Sequence, residues 1–286
     1  MIKNVIVIFV SALLISCGNS SDNNTANASA ETAKTDTVKK APVTSPENEA
    51  AEFMFTTLVI NIPSPFEIIG QLPKAGIPFN AGITNSVDNA SKYSSTTKKG
   101  LNYGAYVVDL IYISTNQQFE QVKPYFKTTR SIAKSLDCAE SFDKIAGARL
   151  EQNIDKQDTI NKVIDQIYTE MDSYLRTNDR VLTSTQIVVG SWIESQFITV
   201  SLIKDAEKNE KNGMLFKKVS QQKGTLDKLI ELMTEFEKEK DFKATIKDIK
   251  DLQALYVKDV KFDNIDKAAL VKLYDKLKDV RGKMVN

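Results

Sequence analysis

The stretches GLNYGAYVVDLIYIS (residues 100–114) and IVVGSWIESQFITVSLI (residues 187–203) decide the fold. Both are apolar on nearly every side of a helix, and they predict helices over residues 98–116 and 181–204. A helix without a polar face must be buried on all sides. Each apolar run is short and contains a carboxylate, so neither is expected to span a membrane. We therefore predict that these are the two central helices of the protein body.

Amphipathic helices are expected to surround this central pair. Apolar residues recur at helical spacing along the rest of the chain, with acidic and basic residues interspersed between them. The pattern predicts helices over residues 119–136, 158–175, 225–238, 242–256 and 266–285. Short connections favour antiparallel neighbours, and no fixed repeat period marks a regular solenoid. The sequence thus predicts an all-α protein, built as a multi-helix antiparallel bundle or an irregular helical-hairpin array.

The folded body is expected to have two parts. The main helical bundle is predicted over residues 47–208. The stretch NEKNG (residues 209–213) interrupts the helical pattern and separates a C-terminal helical-hairpin segment, residues 209–286, from this bundle. We expect that segment to pack on the main bundle.

A helix start is predicted at PSPFE (residues 63–67). Ser64 fits the N-cap, Pro65 fits the first helical position, and Glu67 stands where a capping-box carboxylate reaches back. The apolar residues that follow are ended by Pro73 and Gly76. Helix capping therefore accounts for the motif, and the alternative is a functional groove lined by these prolines.

The N-terminus has the form of a bacterial lipoprotein signal. A lysine near the amino terminus precedes an apolar core about half as long as a membrane-spanning helix needs, which predicts a signal peptide over residues 1–16. The core ends in LISC, which resembles the lipobox and places its cysteine at Cys17. This resemblance implies cleavage before Cys17 and acylation of that residue, and several acyl chains hold a protein firmly on a bilayer. The alternative is an ordinary secretory signal in which Cys17 is incidental.

Residues 17–46 are predicted to be a lipidated cysteine followed by a disordered tether. The segment is rich in Ser, Asn, Ala and Thr and has too few large apolar residues to form a core. Gly18 stands where an aspartate would mark inner-membrane retention, so we expect the chain to be anchored in the outer membrane. The sequence does not decide between the periplasmic and the surface face. The expected partners are membrane lipid, through acylated Cys17, and an envelope protein.

Several classes of chemistry are disfavoured by composition. The formal net charge is +1 with interspersed signs, and no basic patch indicates nucleic-acid binding. The chain has no histidine, which excludes Ser-His-Asp catalysis and His-ligated zinc. Cys138, the other cysteine, stands among acidic neighbours and is expected to be buried. We therefore predict no catalytic residues, no metal and no cofactor.

Two carboxylates in the central helices remain as candidate site residues. A buried ionised Asp109 or Glu194 must be paired or protonated. The favoured interpretation pairs each of them with a residue from the surrounding helices, the candidates being Arg130, Arg149, Lys92 and Tyr93. The alternatives are a proton-sharing dyad that does acid/base work, and the polar end of a ligand cavity lined by Trp192 and Tyr106.

At PSPFEI, VDNASKY, LNYGAYVVDLIY and VGSWIES the chain resembles a family of uncharacterised all-helical lipoproteins of the Bacteroidota. The resemblance covers about residues 60–205. It implies a helical lipoprotein body and no particular activity.

These observations favour a non-enzymatic helical lipoprotein that serves as a binding or accessory subunit of an envelope protein assembly. The first alternative is a carrier of an apolar or glycan ligand in a cavity between helices. The second is a hydrolase that uses Asp109 and Glu194. A deep cavity beside these two acids would favour the carrier, and a tightly packed core there would count against it. Acids that point to separate places and are each already paired would count against the hydrolase.

Overall fold

The computed structural model describes Leu58, residues 61–153 and residues 156–286, which all belong to one compact unit. Over these residues the chain forms ten α-helices and no β-strand, so the all-α prediction is confirmed. The helices are α1 (Pro65–Ile69), α2 (Thr96–Thr115), α3 (Phe119–Ser135), α4 (Ala139–Glu151), α5 (Gln157–Thr177), α6 (Val181–Ile203), α7 (Gly213–Ser220), α8 (Lys223–Thr234), α9 (Lys240–Asp259) and α10 (Lys267–Val285). Two short 3-10 helices, Ala81–Ile83 and Val87–Lys92, lie between α1 and α2. The predicted signal peptide, Cys17 and the tether lie outside the described residues.

The central helices α2 and α6 pack against each other along their length. Glycines make this approach possible. A Cβ atom on Gly190 would lie 2.0 Å from the carbonyl oxygen of Leu101, and one on Gly104 would lie 2.2 Å from the carbonyl oxygen of Ile187. Both obstacles are backbone atoms, so no side-chain rotation relieves them. The glycines in the two apolar stretches therefore set the spacing of the core.

The other helices surround this pair. α3 and α5 flank α2, α4 lies against α3 and α5, and α1 contacts both central helices. α10 packs on α6 and α2, α9 packs on α8 and α10, and α7 and α8 lie against α6. The C-terminal helix thus lies on the central pair. Among the described helices α6 alone has the length and composition to span a membrane, and 89% of its most apolar window is buried inside the protein.

Two helices were missed by the sequence pattern, and one motif was misread. α4 and α7 are absent from the predicted set. α4 is only weakly amphipathic, and α7 is shorter than the stretch of sequence needed to recognise a helical period.

Ser64 does cap α1, accepting a hydrogen bond from the backbone N–H of Phe66 at 3.4 Å. The capping-box role given to Glu67 is wrong, because its carboxylate pairs with Lys218 at 3.6 Å.

Candidate functional site

The packing of α2 on α6 brings the two candidate acids together. Asp109 and Glu194 are both 0% exposed and lie close enough for the charge of Glu194 to act on Asp109. Two adjacent negative charges without solvent would repel strongly, so the pair needs a proton, a cation or both. The structure supplies the cation, which is Arg281.

Glu194 is held by Arg281 of α10. The Arg281 Nε donates to both carboxylate oxygens at 3.0 and 2.8 Å, and its Nη2 donates to Oε1 at 2.7 Å and to the carbonyl oxygen of Ile83 at 3.0 Å. The guanidinium also lies over the ring of Phe197, 4.4 Å from its centroid. This planar two-nitrogen geometry is the strong form of an Arg–carboxylate pair. Glu194 is therefore compensated as a carboxylate.

Asp109 is the acid whose surroundings favour the protonated form. Burial raises its pKa well above the ordinary value, the charge of Glu194 raises it further, and Arg281 opposes the shift. Its Oδ2 accepts the backbone N–H of Asn85 at 3.1 Å, while Oδ1 has no hydrogen-bond partner among the described residues. A proton shared with Glu194 satisfies that atom. The cluster of Asp109, Glu194 and Arg281, here called the acid–arginine cluster, is then electrically neutral.

None of the four residues that the sequence offered as partners for these acids pairs with either of them. Arg130 bonds Asp143, with its Nη2 2.6 Å from Oδ2, on the outside of the bundle. Lys92 donates to Asn89, and Arg149 donates to Gln166. Tyr93 lies closer to the cluster, but its hydroxyl donates to the carbonyl oxygen of Val285 at 3.3 Å. The partner of Glu194 is an arginine from a surrounding helix, as expected, but it is Arg281, which lies 87 residues away in the sequence.

Polar side chains next to the cluster tie the end of α10 to the central helices. The last carbonyl groups of a helix have no partner within it. Here Asn102 donates to the carbonyl oxygen of Met284 at 2.8 Å, Tyr93 donates to that of Val285, and the Lys98 ammonium donates to that of Asn286 at 2.8 Å. Side chains far away in sequence thus cap the C-terminal helix.

Tyr106 belongs to the same polar region. Its hydroxyl donates to the carbonyl oxygen of Ser86 at 2.7 Å, and its ring contacts those of Tyr93 and Tyr125. The amide of Asn85 bridges Tyr93 and Asn102 at 2.9 and 3.2 Å. Each of these groups is used to position the loop over residues 80–93 against α2. Their arrangement is that of an internal hydrogen-bond network.

A general acid or base must reach the proton that it transfers. Asp109 and Glu194 have no exposed surface, and neither of them lines the cleft beside Trp192 or the cleft beside Leu101 and Val280. The acid–arginine cluster can hold a proton and lock three helices together. Its two carboxyl groups present no open face to a substrate.

Trp192 lies on a different face of α6 from Glu194. It is two residues from Glu194 on α6, which turns its side chain roughly 200° around the helix axis. It is 5% exposed, and its Nε1 donates to the Oε1 of Gln222 at 2.9 Å. The structure therefore brings Asp109, Glu194 and Tyr106 together and separates Trp192 from them.

Trp192 lines an open cleft of about 220 Å³, here called the Trp192 cleft. Its walls come from α1 and the residues just before it, from α6, from α5 through Tyr168, and from α7 and α8. The residues are Ile62, Pro63, Ser64, Pro65, Glu67, Ile68, Tyr168, Val188, Ser191, Trp192, Ser195, Gln196, Lys218, Gln221, Gln222 and Thr225. The proline motif that the sequence singled out thus has both a capping role and a place in a groove.

Cys138 is a buried residue, 1% exposed. Burial raises the pKa of its thiol, and this effect exceeds the opposing effect of Arg180, whose Nη1 donates to the sulfur at 3.3 Å. A raised pKa disfavours the reactive thiolate. In the part of the chain that the structure describes, no group of three or more acidic, cysteine or histidine residues could hold a metal ion.

No protein-family model, curated protein or solved structure matches this chain. Its function must therefore be argued from the acid–arginine cluster and the Trp192 cleft themselves.

Proposed function

We propose that this chain is a lipid-anchored, non-enzymatic binding protein of the cell envelope, held on the outer membrane through acylated Cys17. It serves as a binding or accessory subunit of an envelope protein assembly. The predicted tether of residues 17–46 would let the folded body reach partners away from the bilayer surface, because a polar chain of that length spans roughly 30 Å as a random coil.

One observation carries the non-enzymatic part of the proposal. The two acids that offered a route to acid/base catalysis are closed into a neutral cluster by Arg281, with three nitrogen–oxygen contacts of 3.0 Å or less. Both acids are 0% exposed. A glycosidase needs its two carboxyl groups on either side of a substrate bond. The role that fits this cluster is to fix α10 on the central pair.

The Trp192 cleft supports a second candidate function, that of a carrier for a small glycan ligand. This cleft combines open space with the aromatic ring of Trp192 and the side-chain amides of Gln196, Gln221 and Gln222. Ligand sites combine apolar walls with a few placed polar groups in this way. The two candidate functions are compatible, since a subunit of an assembly can present such a cleft.

The anchor is tested by labelling with an alkynyl analogue of palmitate in the native host. The chain has two cysteines, so Cys17→Ala and Cys138→Ala form a matched pair. We expect Cys17→Ala to abolish the label and to release the protein from the outer-membrane fraction, while Cys138→Ala retains both. Continued labelling of Cys17→Ala would refute the anchor.

The role as a subunit is tested by crosslinking living cells, extracting the envelope with mild detergent and purifying the tagged full chain. A protein recovered in stoichiometric amount would support the assembly role, and mapping its crosslinks would locate the interface. Recovery of the chain alone would contradict that role and leave the carrier function as the surviving candidate.

A further inference from the structure

The Trp192 cleft is a built feature of the fold, because its walls come from helices far apart in sequence. α6 supplies the floor with Trp192, Ser195 and Gln196, and the PSPFE motif supplies one rim. The indole N–H is already bonded to Gln222, which fixes the ring in place. A rigid aromatic wall of this kind limits the ordering that a ligand must impose on binding.

One polar group on the floor is left without a partner. Gln196 is 2% exposed, and its Oε1 has no hydrogen-bond partner among the described residues. Burying an amide without hydrogen bonds is costly, so such a group in a cleft points to a ligand that completes it. A purely apolar ligand would leave the cost in place. The occupant of the cleft must therefore offer hydrogen-bonding groups.

One serine of the floor restricts those groups further. Ser195 donates its hydroxyl to the carbonyl oxygen of Trp192 at 3.0 Å. Its donor hydrogen is used, and its lone pairs remain as acceptors. The floor thus favours a ligand that donates hydrogen bonds, as hydroxyl and amide N–H groups do.

The cleft has no uncompensated charge. Its two ionisable side chains of full charge, Glu67 and Lys218, pair with each other at 3.6 Å. An ionic ligand would lose its hydration without gaining an unpaired counter-charge. The volume of about 220 Å³ also lies below the roughly 300–1,000 Å³ typical of drug-sized ligands. The cleft suits a neutral group of about one ring.

We infer that the Trp192 cleft binds one neutral sugar residue, presented by an envelope glycan. A sugar ring supplies donor hydroxyls for the oxygens of Gln196 and Ser195, and its C–H faces suit the apolar walls at Trp192 and Ile68. This inference rests on the ligand-binding function proposed above. A neutral polar side chain of a partner protein shares part of this chemistry, and the experiment separates the two.

Trp192 is the single tryptophan of the chain, so its fluorescence reports directly on the cleft. The purified full chain is titrated with short oligomers of N-acetylglucosamine, which are neutral, and with the corresponding glucosamine oligomers, which are cationic. We expect a saturable change in Trp192 emission with the neutral oligomers and a much weaker response to the cationic ones. Isothermal titration calorimetry measures the same binding without relying on the fluorophore.

Gln196→Leu is the decisive variant. It should weaken binding of the neutral oligomer about tenfold or more, because a hydrogen-bonded amide is worth about that factor. Its melting temperature should equal or exceed that of the wild type, because an unpaired buried amide is removed. Gln186→Leu is the matched control. Gln186 is also buried on α6 with an unpartnered Oε1, but its amide bonds Thr97 and lies outside the cleft. It should leave binding unchanged.

Three results would overturn the inference. They are no saturable binding of neutral oligomers by either method, equal binding by Gln196→Leu, and stronger binding of the cationic series. If the sugar titration fails while crosslinking recovers a stoichiometric protein, the sugar inference fails and the binding-subunit proposal stands. Crosslinks that map to Gln221 or Lys218 would then make the cleft a protein-docking site. If sugar binding succeeds and no protein is recovered, the carrier function stands and the assembly role fails.

Discussion

Replacing Arg281 with methionine tests the structural role of the acid–arginine cluster. The change keeps an unbranched apolar side chain over Phe197 and removes the hydrogen bonds to Glu194 and to the carbonyl oxygen of Ile83. Glu194 is 0% exposed and would be left without its counter-charge. Removing one partner of a buried ion pair costs about 3–5 kcal/mol. For a domain of this size that corresponds to a fall in melting temperature of roughly 6–20 °C.

Urea denaturation followed by circular dichroism and by Trp192 fluorescence measures this loss. Arg281→Lys keeps the charge without the planar fork, so we expect a smaller loss. Adding Glu194→Gln to Arg281→Met should recover much of the stability, because the penalty comes from the unpaired buried charge. A loss below about 1 kcal/mol for Arg281→Met would show that the pair contributes no more than an exposed one, and would refute the reasoning.

Two further predictions concern the central helices. Burial raises the pKa of Asp109, so the folded chain keeps a proton that the unfolded chain releases above about pH 4, and the stabilisation from this group is lost as the pH rises. The asparagine of Asp109→Asn cannot titrate. The free energy of unfolding of this variant, measured relative to the wild type by chemical denaturation, should therefore increase from pH 4 to pH 7, by at most about 1.4 kcal/mol per pH unit. A difference that stays constant over this pH range would contradict the prediction. Gly190→Ala places a Cβ 2.0 Å from the Leu101 carbonyl oxygen and should cost about 3 kcal/mol or more. Gly282→Ala in α10, which meets nothing within 4 Å, should instead stabilise by about 0.5–1 kcal/mol in the same thermal melts.

The central helices were predictable because their signal is local. An apolar stretch with no polar face indicates complete burial wherever it occurs, and the predicted range 181–204 agrees closely with Val181–Ile203. The acid pair was partly predictable, since a carboxylate in such a stretch must be compensated. Its partner was not, because tertiary packing of α10 brings Arg281 to Glu194.

A signal for Arg281 did exist in the sequence. It stands four residues after Leu277 and three before Met284, which places it on the apolar stripe of α10. A single arginine in that stripe is a candidate partner for a buried acid. The Trp192 cleft left no comparable signal, because its walls come from α1, α5, α6, α7 and α8, and only packing sets the space between them.

The most direct test of the account compares Asp109→Asn with Gln196→Leu in the native host. Asp109→Asn preserves the hydrogen bonds of the closed cluster, whereas Gln196→Leu changes the floor of the cleft. Cells are crosslinked, the tagged chain is extracted, and the glycan and protein bound to it are quantified. The account predicts wild-type amounts of bound material for Asp109→Asn and a large loss for Gln196→Leu. Loss with Asp109→Asn and retention with Gln196→Leu would place the function at the acid pair and contradict the account.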